Sequence, residues 1–262
     1  MRRVASLLVM MCSVAPVANA QLPVAEPAPS ASVPVGAPLV EPDSSPLFVR
    51  PDGASLRPGA STYELSLVRP GQTAVPLGVR TVQITDAASG GVPGWLIAES
   101  RTGSAVPTSD SLWVTRADLS PLRWAATVDH TLLGASFTRD SVFGGVQNYR
   151  GRSSFGVALP PGALITAGMI DGLLSLLPLR AGYRATASLL LVEPGAPRAL
   201  RAELRVEREE RVRVGAFDVD CWVVALRAGV MEQRLWVIKE SPRVVRTEQV
   251  LSSGVLTAVL RQ

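Results

Sequence analysis

Lysine and histidine are almost missing from this 262-residue chain, with Lys239 and His130 the sole example of each. Cysteine is scarce too, present only as Cys12 and Cys221. One histidine excludes H-E-x-x-H zinc chemistry, and no C-x-x-C or spaced Cys/His set replaces it. Neither a G-x-S-x-G elbow nor a phosphate-cradling glycine loop before a helix is present. No apolar run reaches the roughly 20 residues that a spanning helix requires, so no transmembrane span is expected in the mature chain. Positive charge falls almost wholly on arginine, and the net charge is only +4. The arginines of residues 201–213 are interleaved with Glu203, Glu207, Glu209 and Glu210. Phosphate-binding surfaces need uncompensated charge, so nucleic acid is not an expected partner.

What is present begins with an export signal. Arg2 and Arg3 precede an apolar stretch at residues 4–17, and Ala18-Asn19-Ala20 offers the small-x-small pattern of a cleavage site. The pattern predicts a signal peptide over residues 1–20, cleaved between Ala20 and Gln21, and a periplasmic or secreted protein. Cys12 follows Met10 and Met11 rather than a small residue, so lipid attachment is not expected. Once Cys12 leaves with the signal peptide, Cys221 has no partner for an internal disulfide, and the fold must rest on its core. Residues 21–58 carry nine prolines and no sustained periodicity. Proline removes backbone donors and fixes φ, which predicts an extended, disordered linker. Residues 59–262 form the expected folded domain.

Within that domain the text turns strand-like. Tyr63, Leu65 and Leu67 alternate with Thr62, Glu64 and Ser66, the signature of a half-buried strand. Short runs of the same kind recur at residues 79–85, 94–99, 111–117, 122–128, 135–139, 145–150 and 153–159. Others follow at 183–192, 199–207, 211–214, 217–226, 231–238, 243–250 and 255–260. The turns between them are too short for parallel crossovers, so the pattern predicts an all-β, antiparallel meander with minor α content. Residues 163–177 break the rhythm. They are apolar apart from Thr166, Asp171 and Ser175, and lie between Pro160-Pro161 and Pro178. This predicts one apolar helix, packed on the concave face of a curved sheet.

Residues suited to catalysis are few. A serine hydrolase would need His130 as its base, with Asp129 or Asp140 to orient it; a turn histidine between two strands is ordinary, so no enzyme is expected. Asp218 and Asp220 share one side of a strand but lack a third ligand for calcium. Cys221 lies in an apolar strand with nothing nearby to lower its pKa. No cofactor or metal is expected. Trp95, Trp113, Trp124, Trp222 and Trp236 all fall in predicted strands, where they pack a core or line an apolar pocket.

Several pieces of the second half occur in a recognisable order. They are WAATVDHT at residues 124–131, LPLRAGY at 177–183, the run from Val212 to Val224, Leu235 to Ile238, and Pro242 to Arg246. From about residue 112 onward this succession resembles the bacterial DUF thirty-one-oh-eight family of uncharacterised periplasmic proteins. The resemblance implies a LolA-like half-barrel: a strongly curved antiparallel sheet with helical cover on its concave side. It implies little about activity.

Together these readings predict a non-enzymatic periplasmic or envelope protein whose half-barrel holds a lipid or other apolar small molecule, such as an acyl chain. Each methylene taken from water contributes about 0.8 kcal/mol, so burial alone can hold such a ligand. Leu173, Leu176 and Leu177 on the helix, with Trp124, Trp222 and Trp236 on the sheet, are the expected lining. The alternative is a structural or interaction module with a filled core and an envelope protein as its partner. A hydrolase using His130 comes third.

Overall fold

The computed structural model describes residues 46–103, 108–159, 164–191 and 198–261. The expected leader, its cleavage residues Ala18, Ala20 and Gln21, and residues 21–45 of the expected linker lie outside these.

Alternation of apolar and polar residues organises the described chain into fifteen strands of one sheet. The first eight are β1 (Gly59–Val68), β2 (Val75–Ser89), β3 (Val92–Thr102), β4 (Thr108–Thr115), β5 (Pro121–Val128), β6 (Thr131–Phe137), β7 (Ser141–Asn148) and β8 (Gly151–Ala158). The rest are β9 (Leu164–Thr166), β10 (Arg184–Leu191), β11 (Arg198–Val214), β12 (Phe217–Ala228), β13 (Met231–Ile238), β14 (Val244–Leu251) and β15 (Gly254–Leu260). Their spatial order is β8 through β1, then β15 down to β9. The first and last strands of the meander therefore pair with each other at its centre, with Tyr63 opposite Leu260 and Leu65 opposite Ala258. All pairings are antiparallel except β9 against β10. The expected all-β antiparallel architecture stands, and the sheet does not close into a barrel.

The helix expected at residues 163–177 is much shorter. Leu164–Thr166 form β9, pairing with Ser188, Leu189 and Leu190. Ala167–Met169 make a 3-10 turn, and only Ile170–Leu174, here α1, are α-helical. Gly168 and Gly172 each cost a helix about 1 kcal/mol relative to alanine, and the strand pairing of Leu164–Thr166 competes for the segment's start. The short plug that results nonetheless belongs to the main core. Met169, Ile170, Leu173 and Leu174 are buried with Leu56, Ile97, Leu112, Leu189 and Leu204 in one cluster. Residues 199–207 and 211–214, expected as two strands, are one strand, β11, with a bulge between Val206 and Arg208. The bulge admits an extra residue without breaking the ladder.

The sheet curls past itself like a scroll. Neighbouring side chains on a strand point to opposite faces. On β10, Ala185, Ala187 and Leu189 join the main core, while Leu190 packs with Ala135 of β6 and Val142 of β7. Ala135 lies opposite Trp124, and Trp124 opposite Leu112 of the main core, so all three share the concave face. The concave wall of β5–β8 thus overlaps the back of β10.

Of the expected linker, residues 46–58 are described, and they dock on the domain. Phe48 and Leu56 are buried in the main core. The Trp95 indole donates to the Gly53 carbonyl at 2.9 Å, and the Arg50 guanidinium donates to the Leu119 carbonyl at 3.0 Å.

Candidate functional site

Two features of the concave side stand apart from ordinary packing: a buried cluster of charges beneath the plug, and the seam where the scroll overlaps. The charges occupy positions that alternation reserves for apolar side chains. Arg80 follows the register of Val82 and Ile84 on β2, Glu99 that of Ile97 on β3, and Asp110 that of Leu112 on β4. Asp171 is the one charged residue of the plug's helix.

Arg80 ties these elements together. Its guanidinium lies 2.7 Å from Glu99 and 2.5 Å from Asp171, so one cation joins the sheet to the plug. All three side chains are about nine-tenths buried. Arg101 approaches the other Glu99 oxygen at 2.8 Å. The Arg80 guanidinium also sits 5.2 Å from the centroid of the Tyr63 ring, within cation–π range. The Tyr63 hydroxyl donates to the Val244 carbonyl at 3.0 Å. Burial pushes that phenol above its usual range.

Asp110 is the odd member. It stands directly across the ladder from Glu99, where like charges repel. Its Oδ1 is buried without a hydrogen-bond partner. Burial, reinforced by Glu99, pushes the Asp110 carboxyl up to about 7 against the pull of Arg101 and Arg80. Burial opposes ionisation of Glu99 as well, yet Arg80 and Arg101 outweigh it and hold that carboxyl down at about 2. The dyad is therefore asymmetric: Glu99 is ionised, and Asp110 retains a proton to near neutral pH. With Asp110 protonated, two arginines balance two carboxylates.

The seam has a different character. Its outer wall is the concave face of β5–β8, where Trp124, Phe137, Phe155 and Val157 are only partly buried around Ala135, Val142 and Leu190. A methyl group on Gly144 would stand 2.2 Å from the Gly134 carbonyl oxygen and 2.4 Å from the Phe155 ring, so only glycine fits there. Thr186 shares the face of Leu190 but lies four residues along β10 from it, where Leu47 bridges to the strand. Thr186 is buried, and its hydroxyl has no hydrogen-bond partner. The 3-10 turn at the plug's start touches β3, β4 and β10, and β10 is the strand whose back forms the seam's inner wall.

The residues anticipated from sequence are scattered between these features. Leu173 and Leu177 are buried in the main core, and Leu176 packs against it. Trp124 bridges the main core and the seam. Trp222 and Trp236 cannot line one cavity with each other, because Trp222 lies opposite Val237 and Trp236 opposite Val223, on opposite faces of β12–β13. Arg246 covers the Trp236 ring at 4.6 Å, and Lys239 covers Trp222 at 4.2 Å. His130 occupies the exposed β5–β6 turn, 3.6 Å from Asp129. Asp140, at the far end of β6, accepts hydrogen bonds from Thr138 and Ser141. The seven residues of β6 put about 20 Å between the two turns. Asp218 pairs with Arg213 at 3.5 Å. Burial raises the Cys221 thiol to about 11, which disfavours the nucleophilic thiolate. Among the described residues, no cluster of three or more His, Cys, Asp or Glu side chains is placed to hold a metal, and no helix is long and apolar enough to cross a membrane.

The buried charges and Thr186 were not anticipated. The signal for the charges was available: a charged residue in the inward register of an otherwise apolar strand, and one aspartate in a greasy segment. Thr186 carries no such mark.

No family model matches the chain, and no curated protein matches it. Among solved structures, it is similar to a beta-barrel-like protein of the domain of unknown function DUF1849 from Brucella abortus. The two share 10% identity with a TM-score of 0.52, over 82% of this chain and 98% of that one. The likeness is one of fold.

Proposed function

We propose that this is a non-enzymatic, exported envelope protein that holds an apolar ligand, such as an acyl chain, in the seam between the wall of β5–β8 and the back of β10. The observation that carries the reading is the thin packing of that wall: Trp124, Phe137, Phe155 and Val157 are only partly buried and gather around just three buried residues, Ala135, Val142 and Leu190, whereas in the main core the buried residues far outnumber the partly buried ones at its margin. An acyl chain laid along these side chains would gain about 0.8 kcal/mol for each methylene buried. Export rests on the leader pattern, and the resemblance to the DUF thirty-one-oh-eight family belongs to the same reading. A non-enzymatic role is supported by the separation of His130 from Asp140 and by the raised Cys221 thiol.

The test is direct. Protein purified from an exporting host is extracted with organic solvent and examined by mass spectrometry, and the delipidated protein is titrated with 11-dansylamino-undecanoic acid. Co-purified lipid or saturable, fatty-acid-displaceable fluorescence is expected. Absence of both defeats the proposal.

One observation favours a second reading. The main core beneath the plug is built from the chain's own buried side chains, and among the described residues the outer edge of β8 pairs with no strand. An interaction module would recruit a partner strand there by β-augmentation.

A further inference from the structure

We infer that Asp110 makes the plug a proton-operated latch: with Asp110 protonated the plug is held against the sheet, and with Asp110 ionised it loosens and opens the adjoining end of the seam. The inference concerns regulation of the proposed ligand site and rests on that reading for its purpose, though not for its mechanism.

The geometry begins with what Asp110 faces. From β3 come Glu99 and Arg101, from β2 Arg80, from β1 the Tyr63 phenol held over Arg80, and from α1 Asp171 across Arg80. The neighbouring position on β5 is Ala126, which carries no charge. From the plug comes Gly168, where a methyl group would stand 3.3 Å from the Asp110 Oδ1. The groups around Asp110 thus come from four strands, from α1 and from one short turn.

Ionising Asp110 places a third carboxylate among two arginines that already serve Glu99 and Asp171. A buried, imperfectly paired charge costs several kcal/mol, and the cluster has two ways to relieve it. It can draw Arg80 away from Asp171, which cuts the tie between sheet and plug. It can also admit water. The strands around Asp110 are locked in a continuous ladder, whereas the plug turn Ala167–Met169 is three residues of 3-10 helix followed by only five of α-helix. Both routes act on the plug.

The sign follows from the raised carboxyl. A group that binds its proton more tightly in the closed state favours closure below its ordinary value near 4. That contribution declines as pH rises and is gone above about 7. The latch is therefore firm in mild acid and slack on the alkaline side of neutrality.

The experiment uses the whole mature chain and reads the plug itself. Amide hydrogen exchange of residues 169–174, corrected for intrinsic rate, is compared between pH 5.5 and pH 8. The wild type should lose protection with rising pH, by up to about tenfold per unit below the carboxyl's midpoint. Asp110→Asn, which mimics the protonated acid, should keep the plug protected at both values. Carboxyl carbon NMR on the wild type should give Asp110 a midpoint near 7. An ordinary midpoint near 4, or an equal pH response in Asp110→Asn, overturns the inference. Dansyl-undecanoate binding is measured alongside. Failure of the probe to bind at either pH strikes the ligand reading alone, while a pH-independent plug strikes the latch alone.

Discussion

The half of the sheet around the plug and the half formed by β5–β8 obey the same alternation but finish differently. Around the plug, concave residues such as Leu112, Leu189, Leu204 and Leu235 are fully buried, and the chain fills its own interior. Along β5–β8, the concave aromatics are only partly covered, and β8 is exposed over most of its length. One half has a plug to close on; the other has only the back of β10. The difference teaches that curvature alone does not make a core. A curved sheet needs an inserted segment, and where none reaches, an apolar wall is left over.

That contrast is open to mutation. The largest effect is expected at the charge that joins plug to sheet. Arg80→Met leaves Asp171 without its cation and Glu99 with Arg101 alone, and breaking a buried ion pair in this way costs about 3–5 kcal/mol, read by urea denaturation. Leu173→Ala, on the fully buried face of α1, should cost about 2–5 kcal/mol, the range for cavity creation in a tight core. Phe155→Ala on the seam wall should cost less, about 1–2 kcal/mol, because its ring is partly exposed and the site can relax. Equal losses for Leu173→Ala and Phe155→Ala would erase the distinction between the two halves. The smallest effect is expected for Arg261→Ala, which removes an exposed pair with Glu64 at 2.9 Å. Such pairs contribute at most about 1 kcal/mol, so the change calibrates the others.

Much of the fold was legible in the sequence because it depends on local period. Tyr63, Leu65 and Leu67 announced a strand, and most of the later runs did the same. The segment 163–177 is only partly helical because an apolar composition does not specify conformation. Leu164, Ile165 and Thr166 suit a strand as well as a helix, and the partner that decides, β10, is distant in sequence. Residues 46–58 read as linker because their prolines are visible and the reach of Trp95 to Gly53 is not. The site was less legible. Trp124 and Leu173 were picked out by size, but opposite faces of β12–β13 separate Trp222 from Trp236, and faces are settled by register rather than by composition. The overlap that creates the seam depends on how far the whole sheet curls, a sum over fifteen strands that no single segment records.

The central claim is that the wall of β5–β8 takes an apolar ligand, and the binding of cis-parinaric acid tests it most directly. Val157→Arg puts a charge on that wall, and Val259→Arg puts the same charge on an exposed strand position of β15 away from the seam. The account predicts saturable binding at about one equivalent by the wild type and by Val259→Arg, weakened at least about tenfold in Val157→Arg, or roughly 1.4 kcal/mol. Indistinguishable titrations for the two variants, or no saturable binding by the wild type, would contradict it.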